Sequence, residues 1–84
     1  MEIRIKHFVK VPSSDCVIAT AHDANRKTKV FLAVNGNGPI YRRNGINNTW
    51  DQLAQEDLQA VRRLITEGLN DKRIPSYTTK GLLN

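Results

Sequence analysis

The chain reads as an α+β domain. The expected architecture is a four-stranded antiparallel β-meander, then one long amphipathic helix packed on one face, then an extended C-terminal tail. Two observations predict this. Up to residue 43, apolar side chains recur with a period of two, broken by clusters of turn-forming residues. Beyond residue 49 the spacing changes to steps of three and four. Size adds a third: 84 residues at 39% hydrophobic content suffice for one modest core, with no deep substrate cleft beside it.

The first strand is residues 2–11. Ile3, Ile5, His7, Val9 and Val11 fall on one side, and Glu2, Arg4, Lys6, Phe8 and Lys10 on the other. Pro12-Ser13-Ser14-Asp15 is turn chemistry: proline presets φ, and serine and aspartate bond nearby amides. Residues 16–22 make a second strand, residues 23–27 a polar loop, and residues 29–34 a third strand rich in β-branched and aromatic side chains. Residues 40–43 form a short fourth.

Between Asn35 and Gly45 lie three Asn-Gly steps, so a phosphate-binding loop has to be considered. A dinucleotide fingerprint needs its glycines to open a helix, yet Gly38 is followed by Pro39 and another strand-like run. A P-loop needs Lys-Ser or Lys-Thr after its last glycine, and the sequence has neither there. Asn and Gly tolerate the positive φ of tight hairpins, and the stretch is assigned to turns.

The helix is expected along the stripe Trp50, Leu53, Ala54, Leu58, Val61, Leu64, Ile65 and Leu69. Thr49-Trp50-Asp51-Gln52 reads as its capping box. Asp51, Glu56 and Asp57 lie early and Arg62 and Arg63 late, as the helix dipole favours. Gly68 suits a left-handed position past the end, letting Leu64 meet Leu69. A break near Gln55 would split the segment into a short turn and a longer helix. Residues 1–69 are thus the domain and residues 70–84 a tail.

The net charge of +5 favours an anionic partner, either nucleic acid or an acidic protein surface. No apolar run is long enough for a membrane span, and the alternating N-terminus is neither signal peptide nor anchor. The single cysteine, Cys16, excludes an internal disulfide, and the protein is expected to be cytoplasmic. If Val11 pairs with Cys16, His7 lies opposite Thr20 with His22 as a diagonal neighbour. They read as rim histidines, with no metal site, no Cys–His nucleophile pair and no cofactor. Asp51, Glu56 and Asp57 read as helix charges. No enzyme or small-molecule substrate is expected.

With Ile18 opposite Leu32 and Val34 opposite Ile40, one face collects Ile3, Ile5, Val9, Val11, Ile18, Val30, Leu32, Val34 and Ile40. That face would receive the helix. The other would present Phe8, Ala19 and Phe31 in a row, with Tyr41 beside Ala33. Arg4, Lys6, Lys10, Lys29 and Arg43 would surround them, with Arg42 adjoining. Rings that stack bases among cations that hold phosphates describe a surface for nucleic acid, or for a protein that handles it. The expected binding residues are therefore Arg4, Lys6, Phe8, Lys10, Lys29, Phe31, Tyr41, Arg42 and Arg43. A homodimer contact, or cover by the tail with Tyr77, Leu82 and Leu83, competes for the same face. The alternative function is an inhibitor of the phage or mobile-element type that docks on a host protein, such as a bacterial defence complex.

Overall fold

The computed structural model describes residues 2–34 and 38–79. The class is α+β, but the sheet is larger than the meander. Its strands are β1 (Ile3–Val11), β2 (Cys16–Asp23), β3 (Thr28–Val34), β4 (Ile40–Asn44), β5 (Thr49–Gln52) and β6 (Ser76–Thr78), with one helix, α1 (Gln55–Leu69), between the last two. The spatial order is β5-β4-β3-β2-β1-β6. All neighbours are antiparallel except β1 and β6, which run parallel. The sheet is therefore mixed.

Strand β5 has a local cause. Asn44 Oδ1 accepts the backbone N–H groups of Ile46 and Asn47 at 3.0 and 3.1 Å, and Asn48 takes a left-handed φ of 58°. That turn folds Thr49–Gln52 back onto β4, with Trp50 opposite Arg43 and Gln52 opposite Tyr41. Thr49–Gln52 is therefore a strand and not a capping box: the Thr49 hydroxyl donates to Asp51 Oδ1 at 2.9 Å. The helix starts three residues later, with Ala54 as its uncapped N-cap. Trp50 accordingly leaves the helix stripe. Glu56 and Asp57 do occupy the first turn, whereas Arg62 and Arg63 are mid-helix and the last turn holds no basic residue.

The segment beyond residue 69, expected to lie outside the domain, joins the sheet. Ile74 packs against the core, the Phe8 N–H donates to the Pro75 carbonyl at 2.9 Å, and the Thr79 N–H donates to the Lys10 carbonyl at 3.1 Å. The Asn35–Asn37 turn lies outside the described residues, as do Leu82 and Leu83.

Helix α1 carries the chain from one sheet edge to the other. Its 15 residues extend about 22 Å, which matches the roughly 24 Å width of six strands. Val61 and Ile65 are buried against the sheet, with Leu58 and Leu64 half-buried beside them. Gly68 is an interior helix residue, buried over the Phe8 ring, and not the left-handed residue past the helix end. Leu69 is exposed.

One residue decides which side of the sheet the start of β1 faces. Ile5 pairs with Ala21 and His7 with Thr20, so Lys6 is an extra residue on β1, a β-bulge. Ahead of the bulge Ile3 and Ile5 point toward the helix; after it Phe8 does, and His7, Val9 and Val11 point away. The core is Ile5, Phe8, Val17, Ala19, Ala21, Phe31, Ile40, Val61 and Ile65. Val9, Val11, Ile18, Val30, Leu32 and Val34 lie on the other side of the sheet. The expected pairs Val11–Cys16, His7–Thr20 and Ile18–Leu32 are all present. The fourth strand is one residue out of its expected register: Ile40 pairs with Ala33 and Tyr41 with Leu32. A single-residue slip exchanges faces, which sends Ile40 into the core and Tyr41 outward.

Candidate functional site

The face away from the helix is built from cross-strand rows. The longest crosses every strand: Tyr77, Val9, Ile18, Leu32, Tyr41 and Gln52, in spatial order from β6 to β5. Beside it run His7, Thr20 and Val30, continued by Arg43 and Trp50. On the other flank stand Val11, Cys16 and Val34, and at the far end Arg4, His22 and Thr28. Tyr77 is 57% exposed, Val34 42% and Trp50 37%. The aliphatic side chains between them are half-buried by one another. Among the described residues no element lies over this face, because α1 packs on the opposite one.

A sheet with one wet face ordinarily alternates apolar and polar residues. Here β3 runs Val30-Phe31-Leu32-Ala33-Val34 without a polar residue, and Val17, Ile18 and Ala19 do the same on β2. Such strands suit burial on both sides. The half-buried side chains of the free side thus leave part of an apolar surface in contact with water.

The β5 corner is held in place. Arg43 lies over the Trp50 ring at 5.2 Å and donates to Asn48 Oδ1. Asn44 Nδ2 donates to Asp51 Oδ2 at 2.9 Å. The Asn44 amide, the Thr49 hydroxyl and the positive charge of Arg42 together keep the Asp51 carboxyl below its usual pKa. At the hairpin tip Ile46 is 96% exposed. At the opposite edge, the His7 and Tyr77 rings meet edge-on at 5.9 Å.

The residues expected to bind are divided by the sheet. Arg4, Tyr41 and Arg43 are on the open face. Phe8 and Phe31 are in the core at 0% and 2% exposure, so neither ring is free to stack a base. Lys10, Lys29 and Arg42 border the helix side, where Lys29 Nζ lies 4.0 Å from Asp23 Oδ2. Lys6 occupies the bulge and is exposed. The basic residues therefore do not converge on one aromatic surface, and Tyr41-Arg42-Arg43 is split between the two sides. The ring set of the open face is Tyr41, Trp50 and Tyr77. The sequence signal for Trp50 was the Asn44-Gly45 step, a hairpin mark that puts a strand directly after it.

Among the described residues no group of three or more His, Cys, Asp or Glu is placed to hold a metal, and no helix is long and apolar enough to cross a membrane. Cys16 is a free, half-buried thiol in the Val11–Val34 row. No protein-family model, curated protein or solved structure matches the chain.

Proposed function

We propose that this is a non-catalytic binding protein that docks on another protein through the open face of its sheet. The observation that carries the reading is the apolar row Tyr77–Val9–Ile18–Leu32–Tyr41, over which no element lies among the described residues, set in strands whose composition suits burial on both sides. Contiguous exposed apolar surface of this kind marks interaction sites. Arg4 and Arg43 stand toward one end of the strands, so the complementary partner has an apolar patch flanked by carboxylates. The overall charge of +5 would speed that encounter. An inhibitor that seats itself on a host enzyme fits this chemistry. Nucleic-acid contact is supported less well: aliphatic side chains separate the Tyr41 and Tyr77 rings, and Arg43 already occupies one side of Trp50.

A photo-crosslinking amino acid tests the reading in cells that express the protein. Placed at Val34 on the open face it should give discrete protein adducts, which Leu32→Lys removes. Placed at Gln59, an exposed helix position, it should give none. Equal adducts from both positions would refute the docking face. So would salt-sensitive binding of single-stranded DNA or RNA that Tyr41→Ala and Trp50→Ala each weaken by about 1–3 kcal/mol, the worth of a base–aromatic stack.

A further inference from the structure

We infer that, when no partner is bound, the open face is closed by a second copy of this chain, sheet against sheet about a two-fold axis. The inference rests on the docking reading and adds a regulation to it: self-association and partner binding compete for one surface.

The face has the area and charge layout that this needs. The central row crosses six strands, the His7 row five and the Val11 row three, and fourteen positions of about 4.8 Å by 6.7 Å give two copies a flat footprint of roughly 900 Å². Rounded side chains add to that, and specific interfaces begin near about 1,000 Å². The contact therefore supports a weak, concentration-dependent dimer.

An axis along the Tyr77–Tyr41 row lays that uncharged row on itself. It sets the Val11–Cys16–Val34 row of each copy against the His7–Thr20–Val30 row of the other, so that Val34 meets Val30 while Val11 and Cys16 meet the uncharged faces of His7 and Thr20. Each Arg43 then sits roughly 17 Å from its mate across sheets packed about 10 Å apart, which is about two Debye lengths at physiological salt. The Arg4 side chains are further apart still. No like charges are brought into contact, and added salt strengthens the dimer by screening the general repulsion between two chains of net charge +5. An acid-flanked partner behaves oppositely, losing affinity as salt rises.

Sedimentation of the purified full chain, from low micromolar to near-millimolar concentration, provides the test. The expected result is a reversible monomer–dimer equilibrium that tightens with salt. Leu32→Lys at the centre of the face should raise the dissociation constant at least about tenfold, the least that a central anchor is worth. Val34→Lys, at an exposed position where folding is not at stake, should raise it as well, with an unchanged melting curve confirming the fold. Alkylation of Cys16 should slow as the protein is concentrated. A chain that stays monomeric throughout, or a dimer indifferent to both variants, overturns self-association. Either result leaves the docking reading intact, because Val34 crosslinks to a protein other than this chain report on it separately.

Discussion

Replacing Gly68 by alanine tests how closely the helix sits on the sheet. In an exposed helix the change should stabilise by about 1 kcal/mol, since alanine is the better helix former. At this position the added Cβ would lie 2.8 Å from Phe8 Cζ and 3.1 Å from Cε2. Carbon atoms in contact prefer about 3.5–4.0 Å. Phe8 has no way to retreat: it is 0% exposed, and Ile74 closes the same spot, with its Cδ1 3.5 Å from the new methyl. Overpacking of this kind costs about 1–3 kcal/mol. Subtracting the gain in helix propensity leaves a net loss of up to about 2 kcal/mol, or a fall of about 4–8 °C in Tm per kcal/mol for a domain of this size. Urea unfolding of the wild type, Gly68→Ala, Phe8→Leu and the double variant completes a double-mutant cycle. With the ring gone, Gly68→Ala should turn stabilising. A gain of about 1 kcal/mol in the wild-type background would refute the close approach, because helix propensity alone would then decide.

Val61 is fully buried, and Val61→Asp should cost on the order of 3–5 kcal/mol, enough to unfold much of the protein by circular dichroism at room temperature. Acid should also weaken the fold. Asp23 is held below its usual pKa chiefly by the Lys27 N–H, Asp51 by the Asn44 amide, and Asp71 by the Arg73 guanidinium. A carboxyl depressed in the folded state contributes stability above its unfolded pKa of about 3.9 and loses it as pH falls through the folded value. Urea midpoints should thus be flat down to about pH 5 and decline below about pH 4, and Asp51→Asn should make that decline shallower. A midpoint that rises on acidification would contradict the carboxylate contacts.

Local pattern made much of this fold legible. Period-two alternation located β1 to β4, and the pairs Val11–Cys16, His7–Thr20 and Ile18–Leu32 followed from short turns. What pattern did not carry was the Lys6 bulge. An extra residue leaves the alternation Ile3, Ile5, His7, Val9 looking unbroken while the chain exchanges faces halfway, so Ile3 and Ile5 join the Phe8–Ala19–Phe31 row on the helix side instead of Val9 and Val11 on the other. Faces were also hard to tell apart because both sides of β2 and β3 are apolar. Composition gives no direction to a strand that suits burial on either side.

Two other elements were hidden for different reasons. Thr49-Trp50-Asp51-Gln52 satisfies a capping pattern and a strand equally well, and the Asn44 turn decides between them. Strand β6 is three residues long and is held by contacts with β1 nearly seventy positions away, for which the local sequence offers no sign. The open face was legible only in part. Tyr41, Arg43 and Arg4 were expected there, but Trp50 and Tyr77 arrive on strands that tertiary pairing creates.

Helix α1 covers the Phe8–Phe31 side of the sheet and lies away from the Ile18–Leu32 side. Methyl-resolved NMR of a dilute sample with a soluble paramagnetic probe measures this directly. Strong relaxation enhancement is expected at Val9, Ile18, Leu32 and Val34, and little at Val17, Val61 and Ile65. Shielded methyls at Ile18 and Leu32 in monomeric protein, with enhancement at Val17, would contradict it and return the helix to the other face of the sheet.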